Sequence, residues 1–305
     1  MYEQVKPALS IVIPTYDREA LIKRALESAL RQEGAVSYEV LVFDDCSEDG
    51  TWDYLCSVHD PKLRIMRNPR RMAMGPAWNS AVRASSGEYV FILQDDDLAL
   101  PGLVSRIRRA VSDYPAVGLI CFATWLIRDD AAEPLLFWQP DEEEYVPGPQ
   151  ALLRFARRWT ISSTQVVFSR SAFDEHGGFD ETSPVMSDAE AILRWMIHYD
   201  TLLLRDRLSL RRVWSGSVSA ATEGTEEMAD TMTFLVKSVL YHAASSGRFG
   251  PRQIAQLRKW LPRTFLKPLR PGRPTRSTRA RLGRAGWGLL NWLRALVRPR
   301  RRGRA

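Results

Sequence analysis

The chain has 305 residues, 45% of them apolar and 26% charged, enough for one large core and an appendage. Its net charge of +7 is unevenly spread: residues 263–305 hold 14 of the 43 basic residues and none of the 36 acidic ones, so the tail carries +14 and the rest −7. Segregation of that kind points to a separate partner for the tail. Three cysteines, Cys46, Cys56 and Cys121, form no CxxC pair and leave an odd count, which argues against a disulfide framework or a zinc site. The N-terminus shows no secretory signal and no window approaches the ~18 apolar residues of a spanning helix, so the expected location is the cytoplasm, peripheral on the cytoplasmic face of the membrane.

Leu9–Ile13 reads as a strand ended by Pro14, Thr15, Tyr16 and Asp17. Leu21, Ile22, Ala25, Leu26, Ala29 and Leu30 then recur at helical spacing, with Asp17 as the expected N-cap. A second strand, Tyr38–Phe43, runs into the polar loop Asp44–Thr51. A short helix over 52–59, a strand over 63–66 and a helix from Gly75 to about Ala84 lead to the apolar run Tyr89–Leu93. That run ends in Asp95, Asp96 and Asp97, before a helix expected from Pro101 to about Asp113 and a strand over 117–122. Residues 129–150 read as a polar, Pro-rich loop. A strand over 165–168, a Gly177–Gly178 turn, a helix from Ser187 to about Tyr199, strands near 201–204 and 208–213, and a helix over 225–244 complete the pattern. Alternation of strands and helices calls for an α/β fold with a mostly parallel central sheet flanked by helices, Rossmann-like in character. Ligands of such sheets bind beyond the carboxyl ends of the strands.

Three adjacent carboxylates at the end of a buried strand repel one another and lose hydration. A hard divalent ion, Mg²⁺ or Mn²⁺, compensates such a cluster and keeps positions open for phosphate oxygens. A turn with Asp97 as cap of the next helix explains one carboxylate of the three. The run Asp141–Glu144 reads as a solvated loop instead.

In joint order and spacing, several stretches resemble the family 2 glycosyltransferases, nucleotide-sugar enzymes of the GT-A fold. They are Ser10–Arg18, Val42–Thr51, Asn68 with Gly75–Asn79, Gly87–Tyr89, the Asp95–Asp97 triplet with Pro101, and Gly177–Glu181 before Ser187 and Asp188. The resemblance spans roughly residues 8–215. It implies that Pro14, Thr15 and Tyr16 line the base and ribose, that Asp45 accepts the N3–H of a uracil-type base, and that Asn79 and Asp95 belong to the donor site. It further implies that Asp95 and Asp96 serve metal and ribose, with Asp97 a cap or a further ligand. Asp188 matches the family's catalytic base, which deprotonates an acceptor hydroxyl in an inverting transfer; as a residue of the first helical turn it also suits the helix dipole. Asp44 and Asp49 read as turn formers. Departures from the pattern are Gln94 and Cys46, Trp78 before Asn79, and the lack of a His at Arg212–Gly216; His176, His198 and His242 are not obvious substitutes.

The expected function is therefore metal-dependent, inverting transfer from a nucleoside diphosphate sugar, of UDP or dTDP type, to a hydroxyl of a glycan or lipid-linked acceptor. Two rivals are a sugar-phosphate nucleotidyltransferase, against which the glycine-free Pro14–Glu19 loop argues, and a catalytically degenerate binding protein that keeps the fold. The expected organisation is a GT-A domain over 1–224, a helical segment over 225–262 and a basic tail over 263–305. In that tail Leu282, Leu289, Leu293, Leu296 and Val297 share a helical face bordered by Trp287 and Trp292, which suits an anionic membrane surface. An apolar stripe has no use in binding nucleic acid, the other partner such charges attract.

Overall fold

A computed structural model describes residues 6–33, 37–128, 133–159, 162–182, 185–217, 222 and 225–265. The first half alternates as expected: β1 (Leu9–Thr15), α1 (Glu19–Leu30), β2 (Tyr38–Asp44), α2 (Thr51–Ser57), β3 (Leu63–Arg67), α3 (Met74–Ala84) and β4 (Tyr89–Ile92). Strands β3, β2, β1 and β4 lie side by side and parallel. All seven residues of β1 and of β2 are buried, as strands covered on both faces must be.

The second half is mixed. It comprises β5 (Leu98–Ala99), α4 (Leu103–Asp113), β6 (Leu119–Arg128), β7 (Leu135–Trp138), β8 (Glu144–Val146), α5 (Gly148–Arg157), a 3-10 turn (Ser163–Gln165) and β9 (Val166–Ser169). After them come α6 (Arg170–His176), α7 (Ser187–Trp195), β10 (Thr201–Val213), α8 (Glu226–Ser245) and α9 (Pro251–Phe265). The sheet order is β3-β2-β1-β4-β9-β6-β10-β5, with β7 added to β6 and β8 to β10. Strand β9 is antiparallel to both neighbours, which restores β6 and β10 to the direction of β4.

Period-two alternation sends Val12, Val90 and Ile92 to one face of the sheet and Ile11, Ile13, Phe91 and Leu93 to the other. The second face packs α1 and α4, with Ile22, Ala25, Leu26 and Ala29 of α1 buried at the expected helical spacing. The first face packs α3, α5 and α7, and Leu235, Val239, Leu257 and Phe265 of α8 and α9 join its core. Helix α9 extends past 262 through Arg263 to Phe265, which packs against Trp159. The remainder of the basic tail, with its apolar stripe, lies outside the described residues.

Four local expectations are corrected. Residues 129–150 are not one loop: β7 and β8 lie there, because short apolar runs can join an open sheet edge. The two strands expected over 201–213 are a single β10 whose pairing to β6 shifts register between Leu204 and Ser209, allowing the polar Arg205–Arg207 to bulge outward. Asp17 does not cap α1, whose N-cap is Arg18; its carboxylate instead accepts the backbone N–H groups of Glu48 and Asp49. The helix expected from Ser187 to about Tyr199 ends at Trp195, and its N-cap is Met186, in the left-handed region at φ 58°.

Trp195 is the largest fully buried side chain. It packs on Phe168 and Phe179 at ring-centroid distances of 4.6 and 5.6 Å and donates its indole N–H to the Gly177 carbonyl at 2.9 Å. Trp195→Ala is expected to cost about 3–5 kcal/mol, read as a lower urea midpoint at unchanged slope. A shift below about 1 kcal/mol would contradict this packing role.

Candidate functional site

The carboxyl ends of β1, β2 and β4 deliver Thr15, Asp45 and the Asp95–Asp97 triplet to one edge of the sheet. Thr15 and Asp45 are joined there, since the Asp45 N–H donates to the Thr15 carbonyl at 2.9 Å. The Asp45 carboxylate accepts the Asn68 amide at 2.6 Å and the Met72 N–H at 3.1 Å. Burial raises its pKa, against the opposing pull of Asn68, Met72 and Arg71. Tyr16 lies under the Arg71 guanidinium, 3.8 Å from ring centroid to Cζ. Thr15, Tyr16 and Asp45 thus lie together at this edge with Asn68 and Arg71 as partners, and Pro14 is the buried β1 residue before them, paired with Phe43.

The three aspartates have three different fates. Asp95 accepts the Thr15 hydroxyl at 2.8 Å and the backbone N–H of Tyr16. Burial, then the charge of Asp96, pushes its pKa up to about 7. Asp96 accepts the Trp214 indole N–H at 2.9 Å, and the Arg18 guanidinium covers that indole at 4.9 Å. Asp97 is 2% exposed; it accepts the Thr164 hydroxyl at 2.5 Å and the Arg212 N–H at 2.7 Å. Both of its oxygens are engaged inside the fold, so Asp97 neither caps α4, whose N-cap is Gly102, nor faces outward as a metal ligand. That corrects its assignment to the metal set, and the reason is burial.

Among the described residues no three His, Cys, Asp or Glu side chains converge as a metal cage. Asp95 and Asp96 remain as a two-carboxylate donor set. This fits Mg²⁺ or Mn²⁺ of the kind that one or two carboxylates hold together with substrate phosphates, and it does not fit an all-protein site.

Asp188 stands in the first turn of α7, half-buried, where the helix dipole favours its charge. Its Oδ2 accepts the Ser163 N–H at 3.2 Å, and the Ser163 hydroxyl accepts the Gln94 amide at 3.2 Å. The 3-10 turn is therefore the bridge of the site: Ser163 reaches Asp188 and Gln94, Thr164 reaches Asp97, and Gln165 reaches the Phe122 carbonyl. Sequence reading passed over these residues. The signal was present as the reciprocal Ser162–Gln165 capping box, an S-x-x-Q spacing.

Asn79 is turned elsewhere. Its amide donates to the Phe179 carbonyl at 2.9 Å and to Glu181 at 3.0 Å, and accepts the Phe179 N–H at 2.8 Å. The expectation that Asn79 touches the donor is corrected: it fastens the loop 177–182, and Trp78 beside it is core, edge-on to Phe179 at 5.2 Å. Asp44 and Asp49 accept hydrogen bonds within their loop, from Ser47 and from Thr51.

The profile of the Glycosyl transferase family 2 matches residues 10–177, more than half of the chain. The chain belongs to this family. A putative colanic acid biosynthesis glycosyl transferase, WcaA of Escherichia coli K12, is 32% identical over 63% of this chain and 67% of its own length. A second relative, the Escherichia coli UDP-Glc:alpha-D-GlcNAc-diphosphoundecaprenol beta-1,3-glucosyltransferase WfgD, is 31% identical over 30% of this chain and 35% of its own. Among solved structures, residues 1–349 of S. aureus TarS in complex with UDP-GlcNAc superpose with a TM-score of 0.76 at 16% identity, over 95% of this chain and 83% of that TarS fragment, a likeness of fold. This glycosyltransferase therefore has the GT-A architecture.

The different fates of Asp96 and Asp97 separate by measurement. Asp97→Ala leaves the Thr164 hydroxyl and the Arg212 N–H without their buried acceptor and is expected to cost about 2–3 kcal/mol of stability. Asp96→Ala, at a half-buried position, is expected to cost under about 1 kcal/mol. Calorimetric melting of the two variants in chelator is the check; equal losses would contradict the distinction.

Proposed function

We propose that this glycosyltransferase moves a sugar from a UDP-type donor to a hydroxyl of a glycan or lipid-linked acceptor, with inversion and with help from a divalent ion. The observation that carries the reading is the presence of two carboxylate stations, Asp95–Asp96 and Asp188, linked by Ser163, which accepts from Gln94 beside Asp95 and donates to Asp188. Asp45, at the second strand end, is the acceptor for a base N3–H, and Pro14, Thr15 and Tyr16 line the base and ribose. TarS, with UDP-GlcNAc bound, supports the uridine preference, and the diphosphoundecaprenol substrate named for WfgD supports a lipid-linked acceptor.

Asp95 and Asp96 would hold Mg²⁺ or Mn²⁺ against the donor diphosphate. Such an ion supplies Lewis-acid neutralisation of the charge that develops on the leaving group. The chain's own part is positional. Thr15 and Trp214 each hold one oxygen of Asp95 and Asp96 in place, so the carboxylates are oriented before donor arrives. Asp188 is the general base: its oxygen takes the proton of the acceptor hydroxyl as that hydroxyl attacks the anomeric carbon from the face opposite the nucleotide.

Asp188→Asn is expected to lower turnover by a factor on the order of 10² to 10⁴ with UDP affinity unchanged, measured by product formation and calorimetric titration. Near-normal turnover would return Asp188 to a helix-stabilising role. For the ion, UDP should bind more tightly when Mn²⁺ is present, and Asp96→Ala should abolish that enhancement; equal UDP affinity in excess chelator would sink the metal assignment.

A second part of the proposal concerns the membrane. No helix among the described residues is long and apolar enough to cross one. The apolar stripe and arginines beyond residue 265 suit attachment to an anionic surface, each such charge contributing about 1 kcal/mol near acidic lipid. Flotation with anionic liposomes is expected for the whole chain and not for one ended after Phe265, a cut that keeps Phe265 in the core. Equal flotation of the two would rule out the tail as anchor.

A further inference from the structure

A groove of about 670 Å³ lies between α8 and the loop 177–181, and none of Thr15, Tyr16, Asp45, Asp95 or Asp96 lines it. Its outer wall is one stripe of α8: Phe234, Lys237, Ser238 and Tyr241, spaced at i, i+3, i+4 and i+7. Phe234 is 38% and Tyr241 68% exposed, two of the few large apolar side chains left in solvent among the described residues. The opposite wall carries Asp180 and Glu181.

The floor is rigid. Arg194 and Glu190 form a buried ion pair at 3.0 Å, Arg194 also donates to the Gly177 and Gly178 carbonyls, and Ser238 donates to Glu190 at 2.6 Å. A buried pair whose hydrogen bonds are this fully made holds its shape and offers no free charge to a ligand. Recognition is left to the walls.

Within the groove α8 runs alongside α7, with Glu190 on the floor, and Asp188, two positions earlier, projects from another side of α7 toward Ser163. Ser238 meets Glu190 and, ten residues on, Arg248 donates to the His198 carbonyl at 3.2 Å, so α8 runs in the same direction as α7. Phe234, one turn before Ser238, is then level with the start of α7, where Asp188 stands. At 1.5 Å per residue, Tyr241 lies about 10 Å further along. Two aromatic faces that far apart, opposed by carboxylates and flanked by Lys237, seat a short oligosaccharide. The C–H face of a pyranose is apolar with its hydrogens slightly positive and packs on the negative face of an aromatic ring. Its equatorial hydroxyls reach outward to the carboxylates and the ammonium.

We infer that this groove binds the saccharide portion of the acceptor, with Phe234 and Tyr241 as stacking platforms. The inference rests on the proposed glycosyl transfer and extends it to named residues outside the donor site. To present its terminal hydroxyl at Asp188, a glycan lying there passes over the N-terminal end of α7.

The test uses the full chain with UDP present and, as probes, immobilised lipid-free oligosaccharides built of hexose and N-acetylhexosamine. Retention of at least one probe is expected, and Phe234→Ala and Tyr241→Ala should each weaken it about ten-fold, the scale of one lost aromatic contact. Tyr241→Trp should restore it. UDP affinity should be the same in all four proteins, since none of the proposed donor residues lines the groove. Normal UDP binding with no probe retained, or with retention that the alanine variants do not alter, overturns the groove assignment and leaves the donor reading intact. Failure of the wild-type chain to bind UDP overturns the donor reading itself, and the groove with it. A wild-type dimer that Tyr241→Ala dissociates would assign the stripe to a second copy of the chain and also overturn it.

Discussion

The site depends on one buried carboxylate. Asp97 accepts the Thr164 hydroxyl with one oxygen and the Arg212 N–H with the other, tying the end of β4 to the 3-10 turn and to the far part of β10. Each of those segments carries a contact to a candidate site residue. The 3-10 turn holds Ser163 against Asp188, and the end of β10 brings Trp214 onto Asp96. Burial raises the Asp97 pKa to about 7, with the charge of Asp96 adding to the effect, so the clamp works against its own desolvation. It persists because both acceptor sites are satisfied, the condition on which a buried polar group is tolerable.

From that clamp follows a division of labour among three adjacent acids. The three lie in the turn between β4 and β5, where successive side chains point in different directions, and the fold uses the difference. Asp97 faces inward and cross-links, while Asp95 and Asp96 keep to the edge, each steadied by a single neighbour, Thr15 or Trp214. Arg18 stacks on Trp214 and donates to the Gly216 carbonyl, so a loop from the first strand covers the last. A site assembled from the ends of several strands gains orientation in this way before any ligand is present.

The opposite face follows a second rule, that the loop before α7 is held by core residues. Asn79 fastens Phe179, Trp195 bonds Gly177, and Arg194 bonds Gly177 and Gly178. The glycines permit that approach: a Cβ at Gly178 would lie 2.2 Å from the Asn79 oxygen, and Gly177 has φ of 81°. The loop is thereby held as one wall of the groove against α8, ahead of the helix that carries Asp188.

The residues that sequence alone determined are those whose signal is local. Period-two and helical spacing located β1, β2, β4, α1 and α3, and strand ends in an alternating α/β chain have to share one edge, so Asp45 and the acid triplet were legible as candidate site residues; Asp188 was singled out only by the family resemblance of Gly177–Glu181 and Asp188, since its local signal is equally that of a helix N-terminus. Contacts between residues distant in the chain were not legible. Nothing near Asp97 announces Thr164, 67 positions away, or Arg212, 115 positions away, so its local alternatives, cap or ligand, looked complete. Asn79 likewise reads as a polar residue near a ligand until the fold places a backbone loop 100 positions later against its amide. Only the tertiary structure decided which polar groups face solvent and which satisfy each other, because the cost of an unpaired buried donor or acceptor is settled by whatever lies nearest in space.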